Sequence, residues 1–278
     1  GERVVGGDGN HNGSFVSKMR LGGEGHGAVG DAAGELRERL TAMLGEEALN
    51  INASTFHSAC VRILRSEIEA MGYGRDFTIY DSDDSQRMIK SVMAEIDISE
   101  KQFAPRMVLS EISAAKDKMI TPEQMREDAG QDYRKKVISR LYALYQQRMM
   151  TANALDFDDI LTVTTELFEK FPEVLEKYRN RYKYIMVDEY QDTNHVQFKL
   201  VSQLSGGHCN LCVVGDDDQS IYKFRGANIE NILGFEAQFD GAKVIRLEQN
   251  YRSTQTILDA ANSVISNNVG RKSKKLWT

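Results

Sequence analysis

The sequence has no apolar run that approaches the roughly 18 residues that a membrane-spanning helix needs, so we do not expect it to cross a membrane. It has only three cysteines in 278 residues, too few for the disulfide framework of a small secreted protein. The chain does not open with a charged segment followed by an apolar one, and we therefore expect a cytoplasmic location. Hydrophobic residues make up 41% and charged residues 27% of the chain, which is typical of a soluble globular protein.

The chain also lacks an excess of positive charge. Its 35 lysines and arginines against 41 aspartates and glutamates give a formal net charge of −6, which argues against a protein that coats nucleic acid through general basicity. A local basic groove is compatible with this balance, because the field near a cleft depends on how the charges are distributed. The length allows two compact units, or one unit that carries a large insertion.

Glycine is concentrated at the start of the chain. Ten of the 22 glycines fall within residues 1–30, where neither helical nor strand periodicity is present, so we expect loop, linker or disorder there. The pattern G-x-G-x-x-G is present at residues 25–30, but no strand pattern precedes it, and it is weak evidence for a dinucleotide site. From Asp31 onward leucine and methionine recur at helical spacing, which predicts a helix that ends near Gly45.

Residues 85–150 have the pattern of a helical block. Two stretches place apolar residues on one helical face: Met88, Ile89, Val92, Met93 and Ile96, and then Val137, Leu141, Leu144 and Tyr145. A helix start is predicted at residues 121–124, with Thr121 as the N-cap, proline at the first helical position and Gln124 at the third. Because no strand pattern interrupts this stretch, we expect a separate helical subdomain, with bounds at residues 81–153.

The rest of the chain alternates helical patterns with short apolar runs. These runs cover residues 184–187, 211–214 and 244–247, and a helix is predicted from Asp158 to Phe171 before the first of them. Short apolar runs separated by helices predict the buried parallel strands of an α/β sheet. A polar cluster follows each run, and ligands of such sheets bind beyond the carboxyl ends of the strands.

The first two clusters contain residues suited to nucleotide chemistry. Asp188 and Glu189 directly follow a predicted strand, where one carboxylate could hold Mg²⁺ and the other could orient or deprotonate a water molecule. The alternative for an isolated Asp-Glu pair is a solvated strand end without a ligand. Gln219, in the second cluster, is a neutral side chain suited to contact a γ-phosphate or its attacking water.

Aromatic and cationic residues alternate in the second and third clusters. Tyr222, Phe224 and Arg225 have the composition of a single-stranded nucleic-acid contact, although two such rings taken alone more often belong to a protein core. Tyr251 and Arg252 offer a flat ring for a nucleobase and a fixed fork of donors for phosphate. An ordinary surface arginine is the alternative for Arg252.

Together these segments resemble the superfamily 1 DNA helicases of the UvrD/Rep/PcrA type. Four motifs of that family occur in its order and at plausible spacing: ALDFDDIL (154–161), VDEYQDTN (187–194), GDDDQSIYKFRGA (215–227) and LEQNYRS (247–253). The segment STFHSACVRILR (54–65) resembles a further motif of the family. With the helical block between them, the resemblance covers roughly residues 31–278.

The resemblance implies an α/β fold, a RecA-like parallel-sheet lobe of the P-loop NTPase type with an inserted all-helical subdomain. The lobe would comprise residues 1–80, of which 1–30 are atypical, and residues 154–252. The helical insertion, called 1B in this family, would comprise residues 81–153. Residues 253–278 would open a second RecA-like lobe that is otherwise absent.

The resemblance also implies roles for individual residues. Asp188 would hold Mg²⁺, Glu189 would act as the base toward water, and Gln219 would sense the γ-phosphate of ATP. Tyr251 would stack on adenine, and Arg252 would contact the γ-phosphate as an arginine finger. Six residues would contact single-stranded DNA: Thr55, Phe56, His57, Tyr222, Phe224 and Arg225. For His57 the alternative is a residue at a helix start without a ligand.

The chain departs from the family in its phosphate-binding segment. The P-loop pattern G-x-x-x-x-G-K-[ST] does not occur in the sequence, and Lys18 stands between Ser17 and Met19. Without the P-loop lysine and its nest of backbone N–H groups, ATP would meet the acidic pair at 188–189 with little countercharge. Residues 1–30 therefore look substituted for the expected segment.

The resulting hypothesis is the N-terminal portion of a helicase that couples Mg²⁺-ATP hydrolysis to 3′-to-5′ movement on single-stranded DNA. We expect a monomer that binds single-stranded DNA and junctions of single and double strands. We also expect that it does not unwind DNA without the second lobe. The alternatives are a single-stranded-DNA-binding module without ATP binding and a protein-interaction domain.

Overall fold

The structure, a computed structural model, describes residues 13–18, 28–221, 227–267 and 274–278. The strands in these ranges are β1 (Gly13–Lys18), β2 (Ile51–Ser54), β3 (Thr78–Ile79), β4 (Ala154–Leu155), β5 (Tyr182–Asp188) and β6 (Leu211–Val213). The α-helices are α1 (Ala28–Leu44), α2 (Phe56–Glu67), α3 (Ser82–Glu95), α4 (Pro105–Lys116), α5 (Pro122–Asp128), α6 (Tyr133–Thr151), α7 (Phe157–Lys170), α8 (Pro172–Arg181), α9 (His195–Ser205), α10 (Glu230–Leu233), α11 (Phe235–Gln238) and α12 (Gln255–Ile265). Of the helices in the described ranges, none has the length and apolar character to cross a membrane.

Four parallel strands form the main sheet, in the order β2-β1-β5-β6. The apolar runs at 184–187 and 211–214 are confirmed as parallel strands β5 and β6, of which β6 ends at Val213, and the helix predicted to end near Gly45 ends at Leu44. Their predicted burial holds on one face only, since Tyr184 and Met186 are 58% and 43% exposed and Cys212 is exposed as well. Gly45 has a φ of +60°, the left-handed conformation that glycine adopts without strain at a helix end.

Two expectations about strands are wrong. Residues 13–18 form a strand although no strand was expected in residues 1–30, because pairing with β2 and β5 on both sides outweighs a weak local pattern. The run at 244–247 is not a strand. Ile245 and Leu247 are 71% and 79% exposed, so this segment buries too little apolar surface to stabilise a strand.

The core of the lobe lies on one face of the main sheet. Helices α8 and α9 pack there against β5, and α7 contacts α2, α8 and α9 in the same hydrophobic cluster. The largest side chains that are almost fully buried in this cluster are Tyr190, Phe77, Phe168, Ile63, Leu64 and Ile68. Each buried aliphatic or aromatic side chain contributes about 1.5–3 kcal/mol to the free energy of folding. The core thus holds the strands in place and thereby fixes the position of their ends.

A second hydrophobic cluster lies within the helical block formed by α3, α4, α5 and α6. It includes Ile89, Val92, Met93, Val108, Ile112, Leu141 and Tyr145. The predicted start of α5 is confirmed. Thr121 Oγ1 accepts a hydrogen bond from Gln124 N at 3.3 Å, and Gln124 Oε1 accepts one from Thr121 N at 2.9 Å.

The chain enters and leaves the helical block at neighbouring points. Strands β3 and β4 pair in parallel, with Thr78 beside Ala154 and Ile79 beside Leu155. Tyr80 N extends this ladder with a 2.8 Å hydrogen bond to Leu155 O. The block is therefore connected to the rest of the lobe through a short two-stranded stem, and its exact domain bounds stay a prediction.

A buried ion cluster joins the helical block to the lobe. Lys116, at the end of α4, lies 2.6 Å from Asp156 Oδ2 and 2.7 Å from Asp159 Oδ1. Asp156 is the N-cap of α7 and Asp159 is the third residue of that helix. Tyr145 Oη also donates to Asp156 Oδ2, at 3.0 Å.

Candidate functional site

The polar clusters after β5 and β6 lie at one edge of the main sheet. Val187 is in register with Val213 in this parallel pair, so Asp188 and the turn that begins at Val214 leave the sheet side by side. Tyr190 N donates a 2.9 Å hydrogen bond to Val214 O and keeps the two chain segments together beyond the strands. In parallel sheets this carboxyl edge is where ligands bind.

The carboxylates of Asp188 and Glu189 are partly buried at the end of β5. Glu189 N donates to Asp188 Oδ1 at 3.0 Å, and in the described chain Asp188 Oδ2 has no hydrogen-bond partner. This leaves one carboxylate oxygen for a cation, which fits Mg²⁺, since that ion is often held by one or two carboxylates together with water and substrate phosphates. Glu189 has a φ of +53° and a ψ of +41°, a strained conformation for a non-glycine residue that turns its side chain away from the strand direction.

Gln191 connects this acidic pair to the turn after β6. Its Nε2 donates to Glu189 Oε2 at 2.9 Å, and its Oε1 accepts from Asp216 N at 2.9 Å. Gln219 Nε2 in turn donates to Asp216 Oδ2 at 2.7 Å. The predicted site residues Glu189 and Gln219 therefore belong to one hydrogen-bond network, and Gln191 is a member that the sequence analysis missed. Its only sequence signal was its position inside the segment VDEYQDTN.

The close approach of these two turns depends on Gly215. A Cβ atom at this position would lie 2.5 Å from Gln191 Oε1 and 2.7 Å from Ile232 Cδ1. Because real Cβ atoms do not approach other atoms so closely, a side chain at 215 would displace the Gln191 amide or the turn itself. Glycine is required here because a side chain would not fit, and not because of its backbone conformation, since its φ is outside the left-handed region.

Three consecutive aspartates, residues 216–218, form an acidic turn next to this network. One carboxylate oxygen from each lies within 4.8 Å of the other two, and Lys274 Nζ contacts Asp216 and lies 3.4 Å from Asp217 Oδ1 and 3.6 Å from Asp218 Oδ2. Burial alone would raise the pKa of Asp216, but hydrogen bonds from Lys274 and Gln219 outweigh it and lower that pKa. The lysine ammonium thus supplies countercharge to this turn.

Tyr251 and Arg252 lie on a segment that is connected to the acidic turn. Gln249 forms a parallel bridge with Trp277, and Lys274 extends from the same terminal segment to Asp216. Tyr251 is 86% exposed, and its hydroxyl donates to Gln249 Oε1 at 2.7 Å. Its ring is therefore accessible for stacking. Arg252 is exposed as well, and its backbone N donates to Asn250 Oδ1 at 2.9 Å.

The predicted DNA contacts near the start of α2 are not equivalent. Thr55 is the N-cap of this helix, and its Oγ1 accepts from Ser58 N at 3.2 Å. Phe56 is only 2% exposed and packs in the core of the lobe, so its side chain is not accessible to DNA. The period of α2 explains this burial, since Phe56, Ala59, Cys60 and Ile63 occupy one helical face.

His57 is partly buried against the start of α7. Its ring lies 5.8 Å from the ring of Phe157 in an edge-on arrangement. Burial lowers the pKa of His57 to about 4, although a hydrogen bond with the Phe157 backbone opposes this shift. The imidazole of the chain alone is therefore neutral at pH 7.

The remaining predicted DNA contacts, Tyr222, Phe224 and Arg225, lie outside the described residues. The chain on either side of them is defined. Ile221, which precedes them, is exposed, and Ala227, which follows them, is buried. Asn228 N then donates a 3.0 Å hydrogen bond to Thr193 O, which returns the chain to the segment that follows β5.

Comparison with known proteins identifies the family. The model of the UvrD/REP helicase N-terminal domain matches residues 30–240. This chain belongs to the UvrD/REP helicase family. The match begins close to α1 and leaves the glycine-rich segment 1–29 outside it, in agreement with the departure found in the sequence.

Relatives in this family are similar over most of the chain. A protein from Bacillus subtilis (strain 168) named ATP-dependent DNA helicase PcrA is 51% identical over 247 residues, which are 89% of this chain and 33% of that protein. The protein of the same name from Staphylococcus aureus (strain Mu50) is 50% identical over 247 residues, 89% of this chain and 34% of its own length. The chain therefore spans about a third of the length of the curated relatives it matches.

Proposed function

We propose that this chain is the N-terminal portion of an ATP-dependent DNA helicase, and that its RecA-like lobe binds Mg²⁺-ATP at the carboxyl edge of the main sheet. The observation that supports this most is the hydrogen-bond network that joins Glu189, after β5, to Gln219, after β6. It connects a predicted catalytic carboxylate to a predicted phosphate-sensing amide across two adjacent strands. A cytoplasmic location stays a prediction.

The chemistry would be electrostatic positioning, without a covalent enzyme intermediate. Asp188 would hold Mg²⁺ through the carboxylate oxygen that Glu189 N does not contact, and the bound ion would neutralise phosphate charge. Glu189 would orient the attacking water and accept its proton, while Gln191 holds one of the Glu189 carboxylate oxygens. Gln219 and Arg252 would contact the γ-phosphate, and Tyr251 would stack on the adenine ring.

We propose 3′-to-5′ movement on single-stranded DNA as the process that this hydrolysis drives in the whole protein. Tyr222, Phe224 and Arg225 would contact the strand by stacking and charge, with Thr55 and His57 beside it as neutral polar contacts. Phe56 is left out of this set because it is buried. The chain would bind single strands and their junctions with duplex as a monomer, and would not unwind DNA by itself.

A second candidate function is a single-stranded-DNA-binding module that does not bind ATP. The specific observation in its favour is that the sequence contains no G-x-x-x-x-G-K-[ST] pattern to hold the phosphates. This candidate predicts DNA binding that falls steeply with salt, together with no nucleotide binding. Alanine at both Tyr222 and Phe224 should weaken DNA binding under either candidate, and unchanged affinity would remove the stacking assignment.

Titration with a fluorescent ATP analogue separates the two candidates. We expect saturable binding to the purified chain that requires Mg²⁺ and is lost in Asp188→Ala and Arg252→Ala. Glu173→Ala, an exposed position on α8, is the matched control and should bind like the unmodified chain. No binding up to millimolar nucleotide would reject the ATP site and favour the DNA-binding module.

A further inference from the structure

The side chain of Gln191 is held from both ends between the two turns of the site. It is 1% exposed, and its amide donates to Glu189 Oε2 and accepts from Asp216 N, both at 2.9 Å. The backbone N–H of Asp216 can only donate, so the amide oxygen must face it and the NH₂ group must face Glu189. A reversed amide would lose both hydrogen bonds inside a buried site, which is costly.

We propose that Gln191 is a positioning residue that transmits the position of the Glu189 carboxylate to the turn that carries Gln219. The use of this link in ATP hydrolysis rests on the proposed function. The link itself rests only on the contacts of Gln191.

The position of the turn after β6 depends on Gln191, because the backbone of this turn is hydrogen-bonded to the Gln191 side-chain amide. Asp216 N is bound to Gln191 Oε1, and the carboxylate of the same residue accepts from Asp218 N at 3.0 Å and from Gln219 Nε2 at 2.7 Å. A displacement of the Gln191 amide therefore acts on the residue that holds Gln219. Gly215 permits this contact, since a Cβ there would lie 2.5 Å from the amide oxygen.

The other contacts between the two turns do not involve the Glu189 side chain. Tyr190 N donates to Val214 O at 2.9 Å, and Ser220 Oγ donates to Gln191 O at 3.4 Å. These contacts use main-chain atoms of the first turn, so they persist when Glu189 changes its rotamer. In the described part of the site, the Gln191 side chain is the hydrogen-bonded connection between the Glu189 carboxylate and Asp216.

A double-mutant cycle without any ligand tests this link. Hydrogen exchange of the Asp216 backbone amide is measured in the ¹⁵N-labelled full chain, with Glu189→Ala and Gln191→Met alone and combined. In the unmodified background we expect Glu189→Ala to reduce protection of this amide about fivefold, since the freed Gln191 amide then holds Asp216 less persistently. In the Gln191→Met background the same change should alter protection by less than about twofold.

Three further variants control this cycle. Glu189→Gln keeps an acceptor for Gln191 Nε2 and should retain most of the protection. Gln191→Leu removes both hydrogen bonds with a different apolar side chain, so it should uncouple the two sites even if Gln191→Met does not fold. Gln203→Met changes a glutamine that bonds Thr165 O, in the packing of α9 against α7, and should leave the coupling intact.

An equal effect of Glu189→Ala in every background, or no effect in the unmodified one, would overturn the proposal. A positive cycle in a chain that binds no nucleotide would reject the proposed function but keep the link. If the cycle shows no coupling in a chain that binds Mg²⁺-nucleotide, the link would be rejected and the proposed function would be kept. The two failures are therefore distinguishable.

Discussion

The carboxylates at the start of α7 and those beyond β5 and β6 differ in burial and in what compensates their charge. Asp159 is fully buried and Asp156 is 9% exposed, and the side chain of Lys116 that pairs with both is 1% exposed. Asp188 and Glu189 are partly exposed at the sheet edge, and neither forms a salt bridge within the described residues. The same residue types thus occupy two opposite environments in one chain.

In the buried cluster every carboxylate oxygen is satisfied by the protein. Asp159 N donates to Asp156 Oδ1 and Asp156 N donates to Asp159 Oδ2, at 2.8 and 3.1 Å. The two remaining oxygens accept from Lys116, with Tyr145 and Gln146 as further donors. Burial alone would lower the pKa of Lys116, but the two aspartates outweigh it and raise that pKa well above its usual value.

At the sheet edge one oxygen of Asp188 has no partner in the described chain, and Glu189 is held by a neutral amide. The fold itself compensates the charge of the buried carboxylates, whereas a bound cation would compensate the charge of those at the sheet edge. Carboxylates that join two parts of a protein have partners inside it, whereas those available for a ligand remain partly open at the end of a strand.

The largest expected effect follows from breaking the buried cluster. Lys116→Met leaves two aspartates buried without their cation, so we expect the free energy of unfolding to fall by about 3–5 kcal/mol. Urea denaturation measures this change. Lys90→Met removes an exposed lysine 3.3 Å from Glu100, and this control should change stability by less than about 1 kcal/mol. A small loss in Lys116→Met would mean that the cluster does not join the block to the lobe.

The pH dependence of stability offers the next largest effect. Burial and the Asp156 carboxylate raise the pKa of Asp159 from 3.8 to about 7. The folded chain therefore keeps this proton where the unfolded chain has released it, and this group makes the free energy of unfolding decrease as pH rises from about 4 to 7. Asp159→Asn should make that slope less negative, by at most about 1.4 kcal/mol per pH unit.

Urea denaturation between pH 4 and pH 8 measures the two slopes. Part of the slope should persist in the variant, because burial also raises the pKa of Asp117 to about 6. Parallel slopes in the variant and the unmodified chain would show that Asp159 is ionised throughout this range.

An intermediate effect is expected from Gly215→Ala at the sheet edge. The added methyl group would meet Gln191 Oε1 and Ile232 Cδ1 at distances that require a shift, which costs about 1–3 kcal/mol. Thermal or urea unfolding measures this loss, and Gly34→Ala, where a Cβ has open space, is the control. A neutral result at 215 would contradict the close contact between the two turns.

The smallest effect on stability is expected at Glu189, where the expected effect on ATP hydrolysis is largest. Glu189→Gln should change the free energy of unfolding by no more than about 0.5 kcal/mol, because the new side chain keeps an acceptor for Gln191 Nε2 and the native carboxylate has no salt bridge in the described chain. The same variant should lose Mg²⁺-dependent ATP hydrolysis, since the amide cannot accept a proton from the attacking water. A destabilisation as large as that of Lys116→Met would place this carboxylate among the structural ones.

Sequence patterns predicted the parts of the fold that local interactions determine. The strands at 184–187 and 211–214 have consecutive apolar residues, and the start of α5 has a complete capping box, so each could be recognised within a few residues. Strand β1 could not be recognised in this way, because it is stabilised by pairing with strands more than 30 residues away in the sequence. The run at 244–247 has the composition of a strand but remains exposed.

The acidic pair of the site could be predicted from the sequence, but the hydrogen bonds that connect it to the rest of the site could not. Asp188 and Glu189 follow a recognisable strand, whereas the contact of Gln191 with Asp216 joins residues 25 positions apart. The pairing of Lys116 with Asp156 spans 40 positions and has no local signature. Phe56 was predicted to contact DNA from its motif alone, whereas the helical period of α2 places it on the buried face with Ala59 and Cys60.

The most direct test of the central claim compares binding and stability in Asp188→Asn. This change keeps the shape of the side chain and removes the charge that would hold Mg²⁺. We expect affinity for a fluorescent Mg²⁺-ATP analogue to fall at least about tenfold, since a charged contact is lost, while the free energy of unfolding changes by no more than about 0.5 kcal/mol. Unchanged affinity, or no binding by the unmodified chain, would contradict the assignment of the sheet edge as the nucleotide site.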